Sequence, residues 1–176
     1  MAKIYSKEIR PKPKRFKKVV LTVMFFVLGR AFVFTNKFDS SVKKEISEWP
    51  EGYKIIFYTA YHGPSMGLIK RNNRIIRAKI PLDNADLSII FKNVDSAFLM
   101  MTAQMGIPVA FAEHRFILKG ESHLAMSLIR CLNVVQTYLF PRIIAKRLIR
   151  KLPKIPWYRR YFYRLRIYLL TVPLGI

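Results

Sequence analysis

Between Tyr53 and Lys119 the hydrophobic period of the chain changes twice, and this restricts the fold more than any other feature. YKIIFYTAYH (53–62) is rich in β-branched and aromatic residues, and GPSMG breaks it. LIK and RIIRAKI flank Asn72-Asn73, a pair that tolerates positive φ and suits a two-residue hairpin turn. In the second arm Ile76, Ala78 and Ile80 are expected to face one way and Arg77 and Lys79 the other, as in a half-buried strand. DLSIIFK (86–92) alternates again after the PLDN turn. The period then becomes helical: VDSAFLMMTAQM (94–105) carries Val94, Phe98, Met101 and Met105, and Gly106 and Pro108 are expected to end it. RFILK (115–119) reads as a short strand, Gly120 as a corner, and HLAMSLIRCLNVVQTYLF as a long helix striped by Leu124, Leu128, Cys131, Leu132, Val135 and Leu139. Adjacent strands with helices between and after them predict an α+β fold, a mainly antiparallel sheet of about five strands with helices on one face.

At 176 residues and 52% apolar, the chain can bury one substantial core. Its net charge of +22 is unevenly placed: residues 1–38 carry +9, 39–140 only +3, and 141–176 carry +10 with no acid. Two basic arms therefore flank a nearly balanced centre, which calls for a polyanionic partner, either nucleic acid or an acidic membrane face. The single cysteine, Cys131, excludes an internal disulfide, fits a reducing compartment, and lies on an apolar helical stripe as a buried structural thiol would.

Residues 1–18, with Pro11 and Pro13, read as a basic mobile arm. Residues 19–37 read as an apolar helix built on VVLTVMFFVLGRAFVF. Being apolar on every side, it must be covered by protein or lipid. Its uncharged part, Val19 to Gly29, is short of the ~20 residues a spanning helix needs. Insertion into one leaflet or packing on the core is therefore preferred over a span or signal anchor, and a span would leave the N-terminus in the cytoplasm. Phe38 to Trp49 reads as a short helix with Val42, Ile46 and Trp49 on one side, stopped by Pro50 and Gly52.

The polar constellations mostly read as structure. GPSMG (63–67) matches a nucleophile-elbow pattern around Ser65, but a hairpin follows it where the elbow needs a helix. Asp83 and Asp86 in PLDNAD suit turn chemistry better than acid–base catalysis. Glu113, His114 and His123 lack the helical spacing of a metal pair, and Glu121-Ser122 after Gly120 suits a helix cap. There is no glycine-rich phosphate loop and no zinc-spaced Cys/His cluster. Met100, Met101, Met105 and Met126, with Phe98 and Phe111, fit either ordinary core or an adaptable apolar pocket.

Residues 141–176 form a basic amphipathic helical extension in two stretches. RIIAKRLIRKL sets Ile144, Leu148, Ile149 and Leu152 against Arg142, Lys146, Arg147, Arg150 and Lys151. IPWYRRYFYRLRIYLL groups Trp157, Tyr161, Leu165, Tyr168 and Leu169 opposite Arg159, Arg160, Arg164 and Arg166. That division suits the headgroup boundary of an anionic bilayer. Arg–aromatic interleaving also supports single-stranded nucleic acid, but the continuous apolar faces and the greasy helix at the other end favour lipid. The membrane-contact candidates are Arg147, Arg150, Lys151, Trp157, Arg159, Arg160, Arg164 and Arg166.

NADLSIIFKNVDSAFLM and AFAEHRFILKGESHLAMSLI, in that order and spacing, resemble the "ADhThxhxxxD" and "AhxxGKhxhxGDxxxAxxL" segments of the sterol carrier protein 2 family. With the hairpin the resemblance covers residues 38–140, a sterol-carrier-like lipid-binding domain. It departs at His114-Arg115, where the family has Gly-Lys, and at Gly120-Glu121, where it has Gly-Asp. It implies an apolar tunnel enclosed by sheet and helices, with no cofactor, no metal and no catalytic residue. It also implies a sterol-, acyl- or prenyl-like lipid ligand carried without catalysis, and the basic arms are expected to hold the protein peripherally at the cytoplasmic face of an anionic membrane. Candidate lipid-binding residues are Ile89, Phe91, Phe98, Met101, Met105, Phe111, Phe116, Leu128 and Leu132. The form resembles bacterial members that are accessory factors in isoprenoid-quinone synthesis. The alternative role is thus an accessory subunit presenting a polyprenyl or quinone precursor to biosynthetic enzymes. Nucleic-acid binding through the arms stands further back.

Overall fold

A computed structural model of the chain describes residues 15–60, 63–102, 104–140 and 157–167, with the side chains of 157–160 and 164 outside that description. Residues 1–14 of the basic arm expected at 1–18, and the first C-terminal stretch, therefore lie outside the described residues.

Helix α1 spans Arg15–Phe38 and is followed at once by α2, Ser40–Ser47. Asp39 separates them by capping α2: its carboxylate accepts from the backbone N–H of Ser41 (2.9 Å) and Val42 (3.3 Å). Strands β1 (Lys54–Thr59), β2 (Ser65–Arg71) and β3 (Arg74–Ala78) form an antiparallel meander. Asn72 and Asn73 turn the hairpin at φ 49° and 56°, as their chemistry predicts. The chain then passes through a short 3₁₀ turn at Leu82–Asn84 to β4 (Leu87–Phe91), which pairs with β1 in parallel. Helices α3 (Val94–Met101) and α4 (Ile107–Ala112), strand β5 (Phe116–Lys119) and helices α5 (Ser122–Leu139) and α6 (Trp157–Arg166) complete the order. The sheet runs β3-β2-β1-β4-β5, mostly antiparallel with the one parallel pair at its centre. The fold is α+β, as the period changes predict.

The all-apolar helix proves to be the middle layer. α1 touches β2, β3, α2, α3 and α5, and buries Leu21, Phe25, Leu28, Ala31, Phe32 and Phe34. Its length and composition would also let it cross a membrane, but half of its most apolar window is covered by protein. It begins four residues earlier than expected. Arg15–Lys18 form its first turn, and the Lys17 ammonium meets Asp95 at 2.7 Å. Outside α1, helices α2 and α5 lock through polar contacts that a small domain can ill leave unmade. Trp49 Nε1 donates to Ser127 Oγ (2.8 Å), Ser127 donates to Glu45 (2.7 Å), and Arg130 grips both Glu45 oxygens at 2.6 and 2.8 Å. The Tyr138 hydroxyl donates to Asp39 at 2.7 Å. Buried Lys70 donates to the carbonyls of Ser47 (3.1 Å) and Trp49 (2.5 Å), a cation at the C-terminal end of α2.

Three local expectations are corrected. In β3 the inward residue is Ile75, while Ile76 is exposed; Arg77 has the strand parity of Ile75 and sits opposite Leu68, but its side chain stays exposed, as expected. The helical pattern at 94–105 stops at Met101, and Thr102 folds back to donate its hydroxyl to the Phe98 carbonyl at 2.6 Å. Pro108 then starts α4 instead of ending α3, since the first helical turn has no use for its missing N–H. Glu121 does occupy the N-cap of α5, but its side chain makes no capping bond, leaving only its charge near the dipole's positive end.

Candidate functional site

The register of the sheet places one side chain per strand beneath α1. Phe116 of β5 pairs directly with Phe91 of β4, and Phe57 of β1 pairs with Met66 of β2. Phe25 of α1 lies over Phe91 and Phe57, ring centroids 6.2 and 6.5 Å away. Phe91 and Phe116 are 6.4 Å apart, and Phe116 and Phe111 of α4 5.9 Å. All four spacings are those of favourable aromatic pairs. The rings therefore form an unbroken track from Phe111, 60% exposed, to Phe25 and Phe57, each 2% exposed.

Of the candidate lipid-binding residues, Ile89, Phe91, Leu128 and Leu132 are buried in the core. Phe98, Met101, Met105 and Phe116 pack against it half-buried, and Phe111 stands out in solvent at its edge. Sequence reasoning missed Phe25 and Phe57, although both lie where their element's period turns them inward. Where the resemblance implies a tunnel, the side chains of α1 lie on the sheet.

Val109 beside Phe111, Ile117 on β5 and Met126 on α5 are also exposed, Ile117 on the sheet face opposite Phe116.

The polar candidates resolve as structure. Ser65 opens β2 and no helix follows it. The Asp86 carboxylate accepts from the backbone of Lys54 at 2.7 Å. Glu113 takes the Arg115 guanidinium at 2.8 Å, and among the described residues no group of three His, Cys, Asp or Glu could hold a metal ion. His114 adopts φ 50°, so it stands at a left-handed position that glycine fits best, and the turn before β5 keeps that geometry. Gly120, at φ 127°, has no such freedom to vary: a Cβ there would come within 2.5 Å of the Asp86 carbonyl. Burial pushes the Cys131 thiol up to about 12, with the nearby Glu45 charge adding to it, so the thiolate a nucleophile needs is suppressed.

Of the membrane-contact candidates, Arg147, Arg150 and Lys151 lie outside the described residues. Trp157, Arg159, Arg160 and Arg164 sit on α6 with side chains likewise outside the description. Arg166 is described, its guanidinium over the rings of Phe38 (5.1 Å) and Phe162 (5.7 Å). α6 packs on α5 through Tyr163, which contacts Tyr138 as well as Phe34 and Phe38, and Ile167 just beyond it is buried. The helix turns Tyr161, Phe162 and Leu165 outward.

No protein-family model and no curated protein matches the chain. Among solved structures the chain is similar to a "UbiJ-SCP2 Ubiquinone synthesis protein" at 10% identity and TM-score 0.45, covering 68% of this chain and 98% of that one. It is similar to sterol carrier protein 2 from Yarrowia lipolytica, apo form, at 13% identity and TM-score 0.41, covering 61% and 86%. The sterol carrier protein 2-like-3 structure from Aedes aegypti follows at 12% identity and TM-score 0.32, covering 55% and 93%.

Proposed function

We propose that this protein binds and carries a hydrophobic lipid without catalysing its conversion. The observation that carries the reading is the aromatic track: a line of rings from an exposed mouth at Phe111 into the core at Phe57. Its flanks at Phe98, Met101 and Met105 are half-buried, and methionine reshapes readily around ligands of varied outline. Entry would be driven by burial, worth about 0.8 kcal/mol per CH₂. The ligand would enter between α4 and β5, the elements that carry Phe111 and Phe116, and lie along the sheet under α1.

The protein works at the cytoplasmic face of an anionic membrane, held there peripherally. Supporting this, Phe16, Val19 and Val23 are exposed at helical spacing on α1, a helix with no acidic residue, and α6 exposes Tyr161, Phe162 and Leu165. Apolar stripes beside Lys and Arg suit the headgroup layer. The sequence resemblance to accessory factors of isoprenoid-quinone synthesis gives the finer version, in which the carried lipid is a polyprenyl or quinone precursor handed to biosynthetic enzymes.

Native mass spectrometry of the full chain, purified from membranes without detergent exchange, tests the reading. A co-purified lipid is expected, together with uptake of a fluorescent acyl probe that slows when Phe111 is replaced by Ser. Finding neither lipid nor uptake refutes lipid carriage. A pull-down that recovers no biosynthetic enzyme from a lipid-loaded preparation refutes the finer version alone.

A further inference from the structure

The track does not end at Phe57. Its cross-strand partner Met66 forms one wall of a cavity of about 570 Å³ at the far end of β2 and β3, lined also by Ser65, Arg77, Lys79, Ile80 and Pro81. Two cations and a hydroxyl thus share a recess with apolar side chains. Arg77 is held in place: its guanidinium stacks on Phe26 at 4.7 Å, and Arg30 of α1 stacks on the same ring at 5.2 Å. Gly29 lets the helix come this close, because a Cβ there would meet Arg77 Nε and Met66 Sδ, both at 2.9 Å.

Among the described residues no salt bridge reaches Arg30, Arg77 or Lys79. Arg30 Nε is buried with no hydrogen-bond partner, an omission that native proteins seldom leave without a reason. Burial, and then the neighbouring Arg30 charge, lower the Arg77 pKa, the sense expected of a cation kept without its counter-ion.

We propose that this cavity is an oxyanion site, and that it holds the phosphate or carboxylate head of an acidic amphiphile whose chain runs along the aromatic track. The second half of the proposal rests on the lipid-carrier reading, while the oxyanion site itself does not. The geometry supports the pairing of head and tail. From Phe116 on β5 to Arg77 on β3 the line crosses all five strands, about 19 Å at the ~4.8 Å spacing of neighbouring strands. Arginine is suited to the head, since its planar fork meets two oxygens of a phosphate or carboxylate at once. The same oxyanion could also arrive as a free ion, and the experiment separates the two sources.

Isothermal titration calorimetry on the full chain at 150 mM salt, with dodecyl phosphate, dodecanol and inorganic phosphate, provides the test. Dodecyl phosphate is expected to bind about tenfold more tightly than dodecanol or better, as hydrogen bonds to a charged group imply. Arg77→Gln with Lys79→Gln should abolish that difference and leave dodecanol affinity unchanged, and Arg30→Gln alone should reduce it. Lys43→Gln with Lys119→Gln, both exposed and on other elements, should leave it intact. Thermal melts establish that each variant is folded. Equal binding of the two amphiphiles overturns the proposal and leaves lipid carriage standing. So does an equal loss in the Lys43/Lys119 control, which would reduce the effect to the overall charge. If neither amphiphile binds, the lipid reading falls and phosphate decides the rest. Phosphate binding lost in the Arg77/Lys79 variant keeps a free-oxyanion site, and no phosphate binding ends the proposal.

Discussion

Replacing Phe25 with Ala probes the middle of the molecule. Phe25 is 2% exposed and touches two rings, Phe57 and Phe91, on adjacent central strands. Truncating a buried Phe to Ala costs about 3–5 kcal/mol. The two ring pairs account for about 1–3 kcal/mol of this, and the rest is lost burial and the void left behind. For a chain of 176 residues, with about 2–4 °C of melting temperature per kcal/mol, the loss is about 6–20 °C. Differential scanning calorimetry alongside Val23→Ala supplies the contrast. Val23 lies on the same helix but 54% exposed, and its truncation should stay within about 0.5 kcal/mol. The vacated ring also opens the track at its centre, so the folded Phe25→Ala protein should take up more acyl probe than the parent. A Phe25→Ala melt no lower than that of Val23→Ala would refute the placement of α1 on the sheet. A fall in probe uptake by the folded variant would make Phe25 part of the ligand's wall, contrary to its role as an occupant of the lipid's place.

Other consequences follow from the polar seams. Arg130 and Ser127 hold the Glu45 carboxyl below its ordinary value, so the stability this gives is complete above the unfolded pKa of about 4.5 and lost as pH falls through the lowered folded value. Urea titrations between pH 5 and about 3 should show a small acid loss, discounted because Arg130 is half-exposed, and Glu45→Gln should flatten it. Cys131, with its pKa near 12, should react with a thiol reagent at pH 8 only as fast as the protein unfolds; immediate labelling of native protein would contradict its burial. His114→Gly should be neutral or stabilise by up to about 1 kcal/mol, because it relieves a left-handed residue. Gly120→Ala should destabilise by at least as much, through the clash with the Asp86 carbonyl. Paired chemical melts distinguish the two.

The strands were legible wherever inward and outward residues differ in kind. Leu87, Ile89 and Phe91 against Ser88 show the face of β4 directly. Ile75-Ile76 show nothing, since two neighbouring isoleucines carry no parity, and Arg77, on the parity of Ile75, stays exposed with its guanidinium laid on Phe26. The apolar helix was legible as a helix, but a segment apolar all round satisfies lipid and protein interior equally. Only the long-range contacts of Phe25 separate them, and no local period records those. Phe91, Phe111 and Phe116 could be named from their own stretches. Phe25 and Phe57 come from segments separated in the chain and meet only once the sheet has its order. GPSMG drew attention for hydrolase chemistry, and Ser65 instead lines the cationic recess.

That α1 is both early in the chain and central in the fold bears on how the protein is made. The segment that every later layer must cover leaves the ribosome about a hundred residues before α5, whose stripe packs against it. At about 5–20 residues per second, α1 waits some ~5–20 s without its partners. During that interval its phenylalanines have water, a chaperone or a bilayer for company, and the order of synthesis leaves the apolar helix uncovered until the rest of the domain has been made.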